Sequence, residues 1–309
     1  MLIDAHTHIF PVVQGRIGGG PTVSIGYGKI RVGADQTLRV LPPAAIETRF
    51  PPKVLLEYID WASVDKAVLL QGTFYGECNQ YAAEAIRRWP DRFLGAAFLD
   101  PWEPGARAMF DQAVDELGFR AIKLELSEAA GLSGLHPDLR LDDPQVAWLW
   151  DEMEERDLLL TLDLGAIGCR SYQTDAVRRM IETHPALRIV IAHLCQPNPR
   201  AEQDSALWAL WREQVSLALH PGVWMDTAAL PAYLQEEGYP YPSVRRYLSM
   251  AIDIVGPDKI LWGTDVPGLL TIATYRQLAD LASEHLDFLS QPDRDKVLGL
   301  NALRVYGGR

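Results

Sequence analysis

The sequence predicts an α/β fold: one (β/α)8 TIM barrel over residues 1–309, with a long Gly/Pro-rich insertion after the first strand. Three observations predict it. Short apolar runs alternate with helix-length segments from Pro52 to the end of the chain. Eight such runs can be counted, and parallel strands covered on both faces read as continuous apolar runs of this kind. The runs also end in His, Asp, Glu, Lys or Gln, and in such a barrel the C-terminal strand ends carry the chemistry.

The first run is Ile3 to His8, and strand alternation places Asp4, His6 and His8 on one face. The segment to about residue 50 follows, with Gly15, Gly18, Gly19, Gly20, Gly26 and Gly28, and it closes on Pro42-Pro43 and Pro51-Pro52. A connection this long inside a compact domain is more often functional than idle. Its Ile, Val and Tyr residues predict local hairpin structure. The rhythm then becomes regular. Helices over 53–63, 79–89, 105–117, 145–155, 173–183, 206–219 and 243–254 precede strands over 66–71, 93–99, 120–126, 158–163, 188–193, 223–226 and 260–264. Helices near 275–289 and 293–306 close the chain. A doubly wound open sheet is the alternative, but no G-x-G-x-x-G follows the first strand.

Composition narrows the function classes. The chain has 309 residues, 48% hydrophobic and 23% charged, an ordinary globular balance. Its net charge of −12 and the absence of a Lys/Arg run argue against nucleic acid. No stretch is apolar for the length of a membrane helix. Cys78, Cys169 and Cys195 form no C-x-x-C pair, so a reduced, cytoplasmic setting without a leader peptide is expected. The expected partner is a small molecule, and the nine Trp residues leave room for self-association.

The strand ends supply the candidate chemistry. His6 and His8 are spaced to reach one divalent ion. Gln71 ends the second strand and is followed by Tyr75 and Asn79. Lys123 and Glu125 share a face of the fourth, Asp163 ends the fifth, His193 the sixth, Asp226 the seventh and Asp265 the eighth. Any one of these can be a helix cap or a structural ion pair. Taken together, charges facing a barrel interior need partners or a metal.

These residues resemble the amidohydrolase superfamily, specifically its amidohydrolase-related branch of decarboxylases and lactonases. The resemblance covers nearly the whole chain. It rests on Asp4-Ala5-His6-Thr7-His8, Ile191-Ala192-His193-Leu194, Trp262-Gly263-Thr264-Asp265-Val266-Pro267, Asn301 to Tyr306 and Leu141-Asp142-Asp143-Pro144. It implies that His6 and His8 bind one divalent metal, zinc or manganese, and that Asp265 binds it or acts as base. Asp163 stands where metal-dependent members have a histidine ligand. Either Asp163 is a ligand, or the metal site is weakened and Asp163 pairs with Lys123. A carboxylated Lys123 bridging metals is a lesser alternative.

The expected activity is hydrolysis of a small carboxylated or lactone-type substrate. Asp265 would be the base and His193 would stabilise the oxyanion, while Gln71, Tyr75, Asn79, Lys123, Glu125 and Arg170 would hold substrate. Two alternatives stay open: decarboxylation of an aromatic or muconate-like acid, and a metal-free lactonase or binding barrel.

Overall fold

A computed structural model describes residues 1–308. Strand β1 (Ile3–Thr7) leads into an antiparallel meander of β2 (Arg16–Ile17), β3 (Gly20–Gly26), β4 (Lys29–Val32) and β5 (Gln36–Arg39). The remaining strands are β6 (Lys66–Leu69), β7 (Phe93–Gly95), β8 (Ala97–Phe98), β9 (Ala121–Glu125), β10 (Leu159–Asp163), β11 (Arg188–Ile191), β12 (Val223–Asp226) and β13 (Ile260–Leu261). The barrel strands pair in parallel, in the order β1-β6-β7 and β8-β9-β10-β11-β12-β13.

Backbone hydrogen bonds join these two pieces into a ring. β7 and β8 are one strand interrupted at Ala96, whose N–H still donates to Leu69 O at 2.9 Å. At the other seam Ala5 N donates to Trp262 O (2.9 Å), Asp265 N to His6 O (2.8 Å) and His8 N to Val266 O (2.8 Å). The eight-stranded barrel expected from the sequence is therefore present, with its last strand shorter than the predicted 260–264.

The ring is filled by small and branched side chains. Ile3, Ala5, Val68, Ala96, Ala121, Leu159, Val190 and Leu261 form one buried cluster, joined by Ala302, Val305 and Tyr306 of the last helix. The alternate residues of the same strands, among them Ile122, Leu124, Leu160, Leu162 and Ile189, pack outward against the helices. The two faces follow from strand alternation.

The alternation breaks once, at the site. Asp4 pairs with Ala67 and Thr7 with Leu69, so three steps along β1 match two along β6. This is a β-bulge, and the extra residue flips which side chains face inward. Ile3 and Ala5 fill the barrel, yet His6 also reaches its centre. Asp4 does not join the histidines, contrary to the expected shared face. Its carboxylate accepts from Thr264 N (2.9 Å), Thr264 Oγ1 (2.6 Å) and Tyr275 OH (3.0 Å) instead.

The insertion is folded as a four-stranded antiparallel meander, so the local hairpin structure expected from its Ile, Val and Tyr residues is present. It is fastened to the loop after β6. Gln14 N donates to Tyr75 O (3.2 Å), Arg16 N to Thr73 O (3.0 Å) and Thr22 Oγ1 to Phe74 O (2.7 Å). The approach is close enough to need glycine at position 15. A Cβ there would lie 1.9 Å from Thr73 O and 2.5 Å from Gly76 N, both backbone atoms. Gly15→Ala is expected to cost about 1–3 kcal/mol by forcing the two backbones apart. Urea unfolding measures the loss, and hydrogen exchange should show it concentrated in the insertion.

Candidate active site

The site is assembled from the C-terminal ends of the barrel strands. His6 Nδ1 lies 2.9 Å from Asp226 Oδ2, and His8 Nδ1 lies 3.0 Å from Leu70 O. A carbonyl or carboxylate acceptor fixes the proton on Nδ1, so each ring presents its Nε2 lone pair to the centre. Asp265 Oδ1 lies 2.9 Å from His8 Nε2 and 3.7 Å from His6 Nε2. These three ligand atoms lie within 4.8 Å of one another.

This donor set fits a divalent cation. Burial pushes His8 below its usual pKa, and it pushes His6 down to about 4 against the pull of Asp226. Both rings are therefore neutral near pH 7. A neutral His8 then sets an Nε2 lone pair against a carboxylate oxygen, and such a pairing is stabilised by a cation between them. A second trio, His6, His193 and Asp226, is also compact. Its carboxylate is already taken up, because Asp226 Oδ1 accepts from His193 N (2.9 Å) and Ala228 N (3.0 Å) while Oδ2 faces His6. Asp226 orients His6.

Asp163 is not part of the three-ligand group. Its Oδ2 lies 2.9 Å from His193 Nε2, and Oδ1 accepts from Gly165 N (2.9 Å) and Gln196 Nε2 (3.3 Å). The alternative pairing with Lys123 is not what the structure shows either, since the contact partner is His193. Burial favours neutral Asp163, but the His193 imidazolium outweighs it and holds the carboxyl well below the usual range. Reciprocally, burial would lower His193, but Asp163 and then Asp226 and Asp265 raise it to about 10. His193 Nδ1 lies 3.1 Å from Ala228 O. Both ring nitrogens thus face protein acceptors, so His193 offers the cavity its positive charge rather than a free N–H.

The backbone that carries His193 is left-handed over four residues, with φ of 61° at His193, 48° at Leu194, 60° at Cys195 and 56° at Gln196. Such a run costs free energy and persists only where its surroundings hold it. Here Tyr172 OH donates to Cys195 O (3.0 Å) and Trp211 Nε1 to Leu194 O (2.9 Å). Asp265 is also left-handed, at φ 66°.

Lys123 is buried, with Nζ 3.4 Å from His6 Nε2 and 3.5 Å from Glu125 Oε2. Above these groups opens a cavity of about 630 Å³. His8, Lys123, Glu125, Asp163, His193 and Asp265 form its floor and sides. Phe10 and Tyr75 form an aromatic wall, stacked at 4.6 Å and 16°, with the His8 ring 4.9 Å from Tyr75. The insertion contributes Phe10, Arg39 and Val40 to the cavity wall.

Three of the expected substrate-binding residues lie elsewhere. Asn79 pairs its amide with the backbone of Phe98, donating to its O (2.9 Å) and accepting from its N (2.7 Å), and so ties a helix to β8. Arg170 is exposed, with its backbone N–H on Glu128 (2.7 Å) and its guanidinium beside the same carboxylate. Gln71 is fully buried but does not line the cavity, and its amide atoms have no protein partner among the described residues. Tyr75, Lys123 and Glu125 do line it. The sequence reading missed several wall residues, among them Phe10, Arg39 and Tyr233. Arg39 sits on an insertion strand that no barrel rule locates, and Tyr233 lies in a connection without periodicity.

The amidohydrolase family model matches residues 3–308. The chain belongs to the amidohydrolase family. It is similar to the gamma-resorcylate decarboxylase of Rhodococcus jostii strain RHA1, 27% identical over 264 residues that cover 74% of each chain. Among solved structures, an amidohydrolase from Burkholderia multivorans superposes with a TM-score of 0.74 at 19% identity, covering 100% of both chains. A second crystal form of that protein contains zinc. A probable 2-pyrone-4,6-dicarboxylic acid hydrolase from Acinetobacter baumannii superposes at 0.70 with 16% identity and 99% coverage of both chains. Among the described residues no helix is long and apolar enough to cross a membrane.

Proposed function

We propose that this amidohydrolase hydrolyses a lactone or related cyclic ester that carries a carboxylate. The observation that carries the reading is Asp265. Its carboxylate lies on the cavity floor, 2.9 Å from His8 Nε2 and 3.7 Å from His6 Nε2, and although burial disfavours its charge, the His193 cation helps to hold the carboxyl below its usual range. It is an ionised carboxylate with no proton to give, set beside two neutral histidines at the cavity floor. That suits a base acting on water and does not suit a donor of protons to carbon.

His6, His8 and Asp265 would hold one divalent ion, zinc by the chemistry of two imidazoles and a carboxylate, with manganese the alternative. Such an ion supplies Lewis acidity and lowers the pKa of bound water toward about 7. The remaining work falls to the protein. Asp265 takes the proton of the attacking water. The His193 cation, locked by Asp163 and Ala228, favours the negative charge that develops on the carbonyl oxygen. Phe10 and Tyr75 stack the ring of the substrate. Arg39 reaches the cavity and, among the described residues, donates one hydrogen bond, to Tyr27 O (2.8 Å), which leaves its remaining donors for a substrate carboxylate.

Decarboxylation of an aromatic acid is the second reading, favoured by the curated relative's activity. Incubation with 2-pyrone-4,6-dicarboxylate, simple lactones and 2,6-dihydroxybenzoate separates the two. Acid release measured by pH-stat supports hydrolysis, and CO₂ release from the benzoate overturns it. Binding without turnover on the whole panel would leave a binding barrel. The metal assignment has its own check. His8→Ala is expected to lower zinc retained per chain by at least about tenfold, whereas Asp163→Asn should leave it within about twofold. Elemental analysis of the purified proteins reads both, and the opposite ranking would return Asp163 to the ligand set.

A further inference from the structure

The scheme above has a base but no acid for the leaving group, and the cavity wall contains a carboxyl that the scheme does not use. The geometry points to a pair: Glu125 and Asp163 share one proton, held on Glu125, and Glu125 delivers it to the leaving oxygen of the substrate. This inference rests on the hydrolytic reading.

The two residues are register partners, Asp163 on β10 opposite Glu125 on β9. Both stand at the ends of their strands and both line the cavity, with side chains 9% and 12% exposed. Two carboxylates on register partners of one buried wall repel, which disfavours ionising both. Their partners decide which one keeps the proton. Asp163 faces three donors, His193 Nε2 at 2.9 Å, Gly165 N at 2.9 Å and Gln196 Nε2 at 3.3 Å. Glu125 has longer contacts, Ser127 N at 3.3 Å and Lys123 Nζ at 3.5 Å. The charge therefore settles on Asp163.

Burial first and the Asp163 charge second push Glu125 up to about 7, against the pull of Lys123. Tyr75 and Tyr233 face Glu125 from the other walls of the cavity, and burial keeps both phenols protonated. Gly72 passes beside Glu125, where an added Cβ would stand 3.6 Å from the Glu125 Cβ, so the missing side chain keeps this flank open.

The proton count closes. Water adds to the ester carbon and gives its proton to Asp265. The ring C–O bond then breaks, its electron pair goes to the leaving oxygen, and that oxygen takes the proton from Glu125. Asp265 releases its proton to solvent and Glu125 regains one from solvent. No oxidant or other co-reactant is needed.

The test compares two lactones whose leaving groups differ in their need for an acid. δ-Valerolactone expels an alkoxide, and dihydrocoumarin expels a phenolate. Glu125→Gln keeps size and shape. It is expected to lower kcat/KM about 10²-fold on δ-valerolactone but less than about threefold on dihydrocoumarin, with Glu125→Asp recovering part of the loss. An equal loss on both lactones, or no loss on either, overturns the acid role. Infrared spectroscopy at neutral pH reads the proton itself without turnover. A protonated-carboxyl band that is lost in Glu125→Gln and kept in an Asp4→Asn control supports the shared proton, and an unchanged band in Glu125→Gln overturns it. If the wild-type protein hydrolyses neither of these lactones nor 2-pyrone-4,6-dicarboxylate, the hydrolytic reading and the acid role fall together, while the infrared result still decides where the proton sits.

Discussion

Asp265→Asn is expected to reduce kcat by about 10³-fold at saturating zinc, within the range that positioned proton transfer contributes. The substitution isolates charge from geometry. Asp265 has φ 66°, and asparagine is the other non-glycine residue that adopts this region readily. Its backbone N–H would still donate to His6 O, so the seam between β1 and β13 stays closed. The side-chain amide can replace the contact with His8 Nε2 as a donor. Lost are the negative charge, which belongs to the proposed ligand set, and the capacity to accept a proton. Zinc content should therefore fall as well, and the activity is to be measured with added metal so that the two effects separate. A variant that retains activity within about tenfold of wild type under those conditions would remove Asp265 from the role of base.

The barrel and the end of it at which the candidate site lies are legible in the chain because both rest on local signals. Alternating apolar runs and helical segments require no knowledge of what packs on what. His6, His8, His193 and Asp265 were legible because they end such runs. The misread residues share a different property. Asn79, Gln71 and Arg170 follow the strands into connections, where a long polar side chain turns to whichever partner the tertiary fold offers. For Asn79 that partner is the Phe98 backbone. Asp4 was misplaced because a one-residue bulge in β1 breaks strict alternation, and the pattern Asp-Ala-His-Thr-His does not reveal a bulge.

Asp163 is the more instructive case. Its position on β10 was read correctly, but the identity of its partner depends on a left-handed turn after β11 that swings His193 against it. That turn contains no glycine and so gives no sequence signal. It depends instead on Tyr172 and Trp211, whose hydrogen bonds to Cys195 O and Leu194 O come from residues 23 and 17 positions away.

His193→Asn should lower kcat by about 10² to 10³-fold, the range seen when one preorganised electrostatic stabiliser is lost, while zinc content stays unchanged. Asparagine again tolerates the left-handed backbone, here at φ 61°, and its amide can still donate to Asp163. The cation is what disappears. Metal is unaffected because both His193 ring nitrogens face protein acceptors, Asp163 and Ala228, and neither belongs to the His6, His8 and Asp265 set. Loss of zinc in this variant would make His193 a ligand.

Stability gives a second readout with a definite sign. His193 rises from an ordinary 6.5 to about 10 in the folded protein. A group raised on folding stabilises fully below its unfolded value, and the contribution is lost as pH rises through the folded value. The wild-type protein should exceed His193→Asn in Tm by the largest margin below about pH 6.5, and the margin should shrink steadily toward pH 10. A margin that grows over that interval would mean that His193 is neutral in the folded protein. The Asp163 carboxylate would then lack its cation, and the preference that keeps the shared proton on Glu125 would fail with it.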